Sequence, residues 1–248
     1  MNIVIFGGSG LIGTGLAARL REAGHHVSAV SSRTGVNAVT GEGVAAAVAG
    51  AEVVVDVLNS PSFEDHAVLS FFEAASRNML AAARSAGVRH YVALSVVGTH
   101  RLQQSGYFRA KLVQETLIAA AGVPYTIVRA TQFFEFLPAI ADFGTADGVV
   151  HAPAALLQPI AARDVAGHLA RVVTSAPANG IVDLAGPERV GIDAAVRQVL
   201  QARADSRLVL ADPSATYFGT PLENDSLVPT GPATLAPTKL ADWLKTNV

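Results

Sequence analysis

Short runs of β-branched residues alternate with Ala- and Leu-rich segments through the first half of the chain. Each run is nearly continuous in apolar residues, as is typical of strands that are covered on both faces. The runs are NIVIF, HVSAV, EVVVDVL, HYVALS and YTIVR. Several of the intervening helical segments end in glycine, which suits a left-handed C-terminal cap: Gly24, Gly50, Gly87 and Gly122. Strands that alternate with helices form βαβ units, so we predict an α/β fold with a doubly wound parallel sheet.

The pattern changes after about residue 133. An aromatic-rich segment, QFFEFLPAIADF, precedes a helix, a short strand (GIVDLAG) and a second helix (DAAVRQVLQAR). We read Asp164 as the N-cap of the first of these helices, and we predict a short closing helix around Trp243. The chain therefore divides, by this prediction, into a sheet core over residues 1–133 and a small α/β cap over residues 134–248, packed on the core as one structural unit.

Composition excludes several classes of protein. Half of the 248 residues are hydrophobic and only 15% are charged, which provides ample material for a buried core. The formal net charge is −2 without basic clusters, so we expect no nucleic-acid partner. The absence of cysteine excludes disulfides and thiolate metal sites, and the seven histidines show no metal-ligand spacing. Without a signal peptide or a bilayer-long apolar stretch, we expect a cytoplasmic protein with no membrane partner.

A glycine-rich loop joins the first predicted strand to the first helix. Gly7, Gly10 and Gly13 lie in IVIFGGSGLIGTGLAARL, and Gly8 to Gly13 also satisfy the pattern G-x-G-x-x-G. Glycine permits the tight turn, brings the backbone close to a pyrophosphate and lets helix and strand pack closely. The backbone amides of Leu11 and Ile12 would then face the phosphates at the helix N-terminus. This context predicts a dinucleotide-binding Rossmann core rather than a simple tight turn.

The end of the second strand indicates which dinucleotide is bound. An NAD site commonly has a carboxylate about 20 residues beyond the glycines, on the ribose hydroxyls. Here the strand ends in Ser31, Ser32 and Arg33 without a nearby carboxylate. An arginine fork can pair with a 2′-phosphate; the alternative is a solvated surface arginine, which is common. We therefore expect Ser32 and Arg33 to favour NADP(H), with NAD(H) as the alternative.

A tyrosine and a lysine four residues apart form a candidate catalytic pair. Tyr107 and Lys111 lie in GYFRAK at the start of a helical segment, so they share one helix face. A free phenol has a pKa near ~10, and a neighbouring ammonium lowers it. Ser95 ends the preceding strand, where open α/β sheets hold their ligands. The other interpretation is a surface ion pair between Lys111 and Glu115.

These motifs resemble the short-chain dehydrogenase/reductase superfamily. The glycine pattern, LSVVG and YFRAKLVQE carry the general resemblance, and TIVRATQFFEFL, LQPIAARDVA and DLAGPERV resemble its atypical, NmrA-like branch. The resemblance implies that Ser95 binds the substrate oxygen, that Tyr107 is the acid/base, and that Lys111 holds the nicotinamide ribose and lowers the tyrosine pKa. The superfamily's helix asparagine has no counterpart, because Asn78 aligns past that position, which lies nearer Phe72.

Further candidates follow the third and fifth strands. Asn59 follows VVVDVL and is positioned for a ribose or nicotinamide, although a turn-forming Asn before Pro61 explains it equally well. Candidates for the nicotinamide and substrate pocket are Thr131, Gln132 and Phe133. Phe134 and Phe136 are candidates for an apolar wall of the substrate pocket. The alternative is that these aromatic residues belong to the core, and we expect this for at least one of them.

The combined features predict an NAD(P)H-dependent reductase acting on a carbonyl or quinone of a small apolar molecule, with polycyclic aromatics of natural-product tailoring as candidate substrates. The first alternative is a non-catalytic, NAD(P)-binding redox sensor of the NmrA type. The second is a nucleotide-sugar epimerase, which ordinarily needs a larger substrate lobe with more Arg and Lys than this C-terminal part contains. No oligomeric state is predicted.

Overall fold

The structure is a computed structural model that describes residues 1–247. Within these residues the α-helices are α1 (Leu11–Glu22), α2 (Val44–Val48), α3 (Asp65–Ser85), α4 (Gly106–Ala120), α5 (Leu137–Phe143), α6 (Ala162–Val173), α7 (Ile192–Ala202) and α8 (Leu240–Asn247). The strands are β1 (Asn2–Phe6), β2 (His26–Val30), β3 (Val53–Asp56), β4 (His90–Val96), β5 (Tyr125–Ala130), β6 (Thr145–Ala146), β7 (Val149–Pro153), β8 (Leu156–Leu157), β9 (Gly180–Ala185), β10 (Val190–Gly191), β11 (Leu208–Asp212) and β12 (Ala233–Leu235). Short 3₁₀ turns cover Ser32–Thr34 and Phe134–Phe136.

The main sheet is parallel and has seven strands in the order β12-β9-β5-β4-β3-β1-β2. Strand β1 lies between β3 and β2, with Phe6 opposite Asp56 on one side and Val30 on the other. The chain reverses its direction of winding between β1 and β3, which is where open α/β sheets place their ligands. The predicted α/β fold with a doubly wound parallel sheet is confirmed.

The chain divides into two compact units. The first comprises Met1–Ser95, Gly106–Arg129 and Val165–Val182, and the second comprises Val96–Ser105, Ala130–Asp164 and the chain from Asp183 onward. The second unit contains a mixed three-stranded sheet, in which β7 pairs in parallel with β11 and antiparallel with β6. A two-stranded antiparallel ladder joins β8 and β10.

Burial explains the order of the strands in the first unit. Strand β3 is buried at every position and β1 at all but its first, whereas β2, at the sheet edge, is only partly buried. Phe6, Val54, Met79 and Tyr91 belong to one hydrophobic cluster that packs α3 against the sheet. Full burial of each such side chain stabilises the fold by roughly 1.5–3 kcal/mol, so the most apolar strands occupy the centre.

The helix ends agree with the sequence in part. Gly24, Gly50, Gly87 and Gly122 all adopt positive φ, which confirms the predicted left-handed caps. The N-cap prediction for Asp164 was wrong, because α6 begins two residues earlier. Both carboxylate oxygens of Glu135 accept from the Ala162 amide, at 3.1 and 3.2 Å, while Asp164 accepts from the amide of Thr238 at 3.1 Å. No helix among residues 1–247 has the length and apolarity needed to cross a bilayer.

Candidate dinucleotide and catalytic site

The glycine loop turns sharply between β1 and α1 and contacts both neighbouring strands. Gly7 adopts φ +81°, and a Cβ atom placed there would lie 2.7 Å from the Val57 carbonyl oxygen beyond β3. The amide of Gly8 donates to the Val30 carbonyl at 3.2 Å. The amide of Gly10 donates to the Gly7 carbonyl at 3.0 Å. These contacts fix the loop as a tight turn whose conformation only glycine adopts at position 7.

Helix α1 packs directly on this turn. A Cβ atom at Gly13 would lie 2.2 Å from the Gly7 carbonyl oxygen and 2.7 Å from the Gly8 Cα. No side chain caps the helix at Gly10, and its first turn contains no acidic residue. The first-turn amides, those of Leu11 and Ile12 among them, are therefore available to an anion, and the helix dipole favours negative charge there. This cradle fits the pyrophosphate of a dinucleotide.

Two polar segments follow the strands beside the cradle. Ser32 and Arg33 lie in the 3₁₀ turn after β2 and are exposed, and Arg33 makes no polar contact within residues 1–247. Thr34 anchors that turn, because its hydroxyl donates to the Ser31 carbonyl at 2.8 Å and accepts from the Ser31 amide at 2.9 Å. Asn59 follows β3 and is likewise exposed. The guanidinium of Arg33 is thus presented on an ordered turn.

Lys111 is buried beneath strand β4, with 2% of its surface exposed. Its ammonium donates to the Leu94 carbonyl at 2.9 Å and to the side-chain oxygen of Gln114. It also lies over the ring of Phe72, 4.5 Å from the centroid. Burial lowers the pKa of Lys111 to about 8, against the opposing charges of Asp56 and Glu115. The interpretation of Lys111 as half of a surface ion pair is therefore wrong.

Asp56 forms the other end of this buried network, and sequence reasoning missed it. Its carboxylate, 1% exposed at the end of β3, accepts from Gln114 Nε2 at 2.7 Å and from the Tyr91 hydroxyl at 3.2 Å. Burial raises the pKa of Asp56, although the Lys111 charge opposes this. The available signal was the single aspartate inside the apolar run VVVDVL, since an ionisable residue in such a strand requires partners.

Ser95 lies at the end of β4 and is directed at helix α4. Its hydroxyl donates to the Glu115 carboxylate at 2.5 Å. Arg129 binds the same carboxylate through two nitrogens, at 2.9 and 2.5 Å. Glu115 is 4% exposed, so this is a buried charge-assisted network. Because a serine hydroxyl has one hydrogen, Ser95 would have to release Glu115 before donating to a substrate oxygen.

Tyr107 packs among aromatic rings at the start of α4. Its ring centroid lies 5.5 Å from that of Phe63, 5.8 Å from Phe108 and 6.1 Å from Phe72. The phenol is only partly buried, and its oxygen bonds to no residue in the described range. Burial raises the pKa of Tyr107 to about 12. The expected lowering of the Tyr107 pKa by Lys111 is thus not found, because desolvation dominates and the ammonium is held by other groups.

Phe72 connects the two members of the predicted pair, since its ring contacts both the Lys111 ammonium and the Tyr107 ring. Phe72 lies near the position that the resemblance to the superfamily assigns to its helix asparagine. Asn78, further along α3, has a different role, because its side-chain nitrogen donates to the carbonyls of Ala38 and Val39, both at 2.9 Å. Asn78 therefore fixes the loop before α2, beside an open depression of about 590 Å³ that contains no predicted site residue.

The predicted substrate residues lie in the second unit, after β5. The hydroxyl of Thr131 donates to the Gln158 carbonyl at 2.6 Å, and Phe133 forms a β-bridge with Ile160. Gln132 is buried and its side-chain nitrogen and oxygen have no partner within the described chain. Phe136 is partly buried and stacks on Phe218, with centroids 5.5 Å apart. One further aromatic residue is core, as expected: Phe134 is 1% exposed and packs on Trp243.

Solved structures share this fold at low sequence identity. A short-chain dehydrogenase/reductase superfamily protein from Agrobacterium tumefaciens, solved with bound NAD, is 16% identical, with a TM-score of 0.74 over 99% of this chain and 95% of its own. A dTDP-4-dehydrorhamnose reductase from Clostridium acetobutylicum is 17% identical, with a TM-score of 0.74 over 99% and 98%. A UDP-glucose 4-epimerase from Thermus thermophilus, in complex with NAD, is 17% identical, with a TM-score of 0.69 over 97% and 92%.

Sequence comparison provides the family. No curated protein matches the chain. A family model described as NAD(P)H-binding matches residues 7–176, which include the glycine cradle, Ser95, Tyr107 and Lys111. The match covers more than half of the chain, and the fold is that of the dehydrogenases and epimerases above. The chain belongs to the NAD(P)H-binding family and has the fold of the short-chain dehydrogenase/reductase superfamily.

Proposed function

We propose that this protein is an NAD(P)H-dependent reductase of a carbonyl or quinone on a small, largely apolar molecule, with polycyclic aromatics of natural-product tailoring as candidate substrates. One observation carries the proposal. The unit that contains the glycine cradle also presents a partly exposed phenol, Tyr107, whose oxygen has no protein partner within residues 1–247. A phenol whose oxygen is not engaged by the protein can donate its hydrogen to a substrate oxygen, as reduction of a carbonyl requires. A general acid works best with a pKa near the operating pH, so the proposal requires the bound cofactor and substrate to lower the pKa of Tyr107.

The cofactor, held by the amides of the cradle, supplies the hydride. Tyr107 donates its proton to the substrate oxygen as the carbonyl carbon is reduced, and the resulting phenolate recovers a proton from solvent. The Lys111 ammonium, fixed by Leu94 and Gln114, contributes positive charge near the ring of Phe72. Stabilising the phenolate and lowering the pKa of the phenol are the same effect, and burial alone sets the pKa of Tyr107 in this structure. Lys111 therefore contributes to proton transfer only if the bound cofactor and substrate bring its ammonium toward the phenol oxygen. Ser95 contributes only if the substrate displaces its bond to Glu115.

Arg33 supports the choice of NADP(H) over NAD(H). The cradle alone serves either dinucleotide, and NAD is the cofactor in the solved structures of similar fold. Arg33, exposed on the turn after β2, has no partner among the described residues and no neighbouring carboxylate in the sequence. Its planar fork suits the 2′-phosphate that distinguishes NADP(H).

The test is oxidation of NADPH and NADH by the purified protein with a panel of quinones, aromatic ketones and aldehydes, beside Tyr107→Phe. Loss of the general acid should lower kcat by roughly 10²–10⁴-fold. The Kd for NADPH, measured by fluorescence titration, should change little, because the cradle is intact. Phe108→Leu is the control, since it alters the aromatic shell without removing a hydroxyl. Equal turnover by wild-type protein and Tyr107→Phe would show that Tyr107 is not the proton donor.

A non-catalytic NAD(P)-binding redox sensor is the second candidate, and a separate observation favours it. In the free protein the hydroxyl of Ser95 is bound to Glu115, and the Lys111 ammonium is bound to Leu94 and Gln114. Two of the three predicted catalytic groups are thus engaged in the interior. Tight NADPH binding without turnover of any compound in the panel would favour this function over the reductase.

A further inference from the structure

The ammonium of Lys111 meets three electron-rich groups in the interior. It donates to the Leu94 carbonyl on β4 at 2.9 Å and to the side-chain oxygen of Gln114 on α4. The ring of Phe72 on α3 lies 4.5 Å from its nitrogen, and the face of an aromatic ring attracts a cation. A neutral amine has two hydrogens and a lone pair, so it would turn the lone pair toward one of these groups. The surroundings of Lys111 are therefore built for the charged form.

The carboxyl group of Asp56, at the end of β3, faces donors instead. Its Oδ1 atom accepts from the Leu58 amide at 3.1 Å. Its Oδ2 atom accepts from Gln114 Nε2 at 2.7 Å and from the Tyr91 hydroxyl at 3.2 Å. Burial raises the pKa of Tyr91, so this hydroxyl keeps its hydrogen. Burial also raises the pKa of Asp56, but hydrogen bonds to a carboxylate favour the charged form. The surroundings of Asp56 are therefore built for the carboxylate.

Gln114 joins the two groups, and one orientation of its amide suits both. Its oxygen accepts from Lys111, and its nitrogen donates to Asp56. The reversed amide would place a donor against the ammonium and an acceptor against the carboxylate. Because Gln114 is 1% exposed, these bonds lie in a region of low dielectric, where they are electrostatically stronger than in water. The amide dipole is thus aligned between a cation and an anion.

Asp56 is the counter-charge on which Lys111 depends. The other nearby anion, Glu115, is held by two nitrogens of Arg129 on β5, at 2.9 and 2.5 Å. The buried charges therefore form two pairs, one of which is Lys111 with Asp56. Burial lowers the pKa of Lys111 to about 8, and the charges of Asp56 and Glu115 oppose this lowering. Without Asp56, the charges of Glu115 and Arg129 would offset each other, and burial would lower the pKa of Lys111 further.

We propose that Asp56 is a positioning residue for the reductase reaction, because it keeps Lys111 charged and, through Gln114, holds the ammonium beside the ring of Phe72. That ring lies 6.1 Å from the ring of Tyr107, measured between centroids. The positive charge is then available when bound cofactor and substrate bring the ammonium toward the phenol oxygen. This inference rests on the proposed reductase function and adds a residue that acts on the site through Lys111.

Lysine-selective NMR tests the pairing of Asp56 with Lys111. The chain has three lysines, and the side chains of Lys239 and Lys245 are 58% and 73% exposed. Labelling of the lysine Cε atoms with ¹³C therefore gives three signals, whose shifts follow the ionisation of each amine. In Asp56→Asn, the titration midpoint of Lys111 should fall by about one pH unit or more. The midpoints of Lys239 and Lys245 should stay unchanged. An unshifted Lys111 midpoint would overturn the inference.

Val55→Ala is the matched control for lost packing. Val55 is 0% exposed and precedes Asp56 in β3, so its side chain lies on the opposite face of the sheet. Its truncation leaves a cavity and removes no charge. The unfolding midpoint of Val55→Ala should fall, while the Lys111 titration stays at the wild-type midpoint. A shift as large as that of Asp56→Asn would assign the effect to packing and overturn the inference.

A double variant decides the outcome if Asp56→Asn does not fold. Removal of one member of a buried ion pair destabilises a protein more than replacement of both members by uncharged residues. Asp56→Asn/Lys111→Met should therefore fold and should unfold at a higher temperature than Asp56→Asn. Failure of the double variant to fold would assign Asp56 to the structure alone and overturn the inference.

The pH profile of turnover tests the role in the reaction. With a substrate from the panel, loss of the Lys111 charge should lower kcat for NADPH oxidation. The decline of kcat at alkaline pH should therefore move to lower pH in Asp56→Asn, by the same interval as the Lys111 midpoint. A shifted midpoint with an unmoved kcat profile would overturn the inference. A shifted midpoint in a protein that never oxidises NADPH supports control of Lys111 by Asp56 and refutes the proposed reductase function.

Discussion

Replacement of Gly13 by alanine tests the physical basis of the dinucleotide cradle. A Cβ atom at this position would lie 2.2 Å from the Gly7 carbonyl oxygen and 2.7 Å from the Gly8 Cα. Both neighbours are backbone atoms of the tight turn, so no side chain can rotate away. Helix α1 or the turn must therefore move by about 1 Å to restore an ordinary carbon–oxygen separation.

The stability change combines two opposing effects. Alanine is favoured over glycine within a helix by about 1 kcal/mol. Overpacking of a close contact costs about 1–3 kcal/mol or somewhat more. The sum is a destabilisation of up to ~2 kcal/mol, which in a chain of this length lowers Tm by only a few degrees. The effect on cofactor binding should be larger, because a 1 Å displacement separates the first-turn amides from the pyrophosphate.

Gly15→Ala is the matched control. Gly15 lies two residues after Gly13 in the same helix. A Cβ atom at Gly15 would meet only the Ala166 side chain at 3.5 Å, which is an ordinary contact. We expect Gly15→Ala to be neutral or stabilising by up to about 1 kcal/mol, with NADPH affinity unchanged. Gly13→Ala should weaken NADPH binding by at least about tenfold, or ~1.4 kcal/mol, in a fluorescence titration. Indistinguishable affinities for the two variants would refute the close-approach reasoning.

Two further predictions concern charge. Arg33→Ala should weaken NADPH binding by about 10- to 100-fold, because one charge-assisted contact is lost. The affinity for NADH should stay unchanged. Equal losses of affinity for both cofactors would contradict a role of Arg33 at the 2′-phosphate. Burial lowers the pKa of Lys111 in the folded chain to about 8, from the ordinary lysine value of 10.5, so between these pH values the unfolded chain binds a proton that the folded chain does not. From pH 7 to pH 10.5, the unfolding free energy of the wild-type protein should therefore rise by on the order of 3 kcal/mol relative to that of Lys111→Met. Urea titrations at each pH measure both free energies. If the two free energies change in parallel with pH, burial of the amine is contradicted.

Much of the candidate site was predictable because its signals are local. The glycine loop, the strand that carries Ser95 near its end, and the pair Tyr107 and Lys111 on one helix are all signalled by short-range spacing. The partners of these residues were not predictable in the same way. The alternative interpretation placed Glu115 on the surface as a partner of Lys111, whereas it binds Ser95 and Arg129 in the interior. Those bonds join residues 14 to 20 positions apart, and no periodicity connects them.

The sequence by itself determined the α/β alternation, the position of the dinucleotide loop and the helix-terminating glycines, because backbone conformation and hydrophobic periodicity act over a few residues. Tertiary structure alone decided the chemical state of the site. Packing of α3 and α4 on the sheet buries Lys111 with Asp56, surrounds Tyr107 with aromatic rings and leaves its pKa at about 12. Desolvation depends on every neighbouring group at once, and those neighbours come from distant segments of the chain.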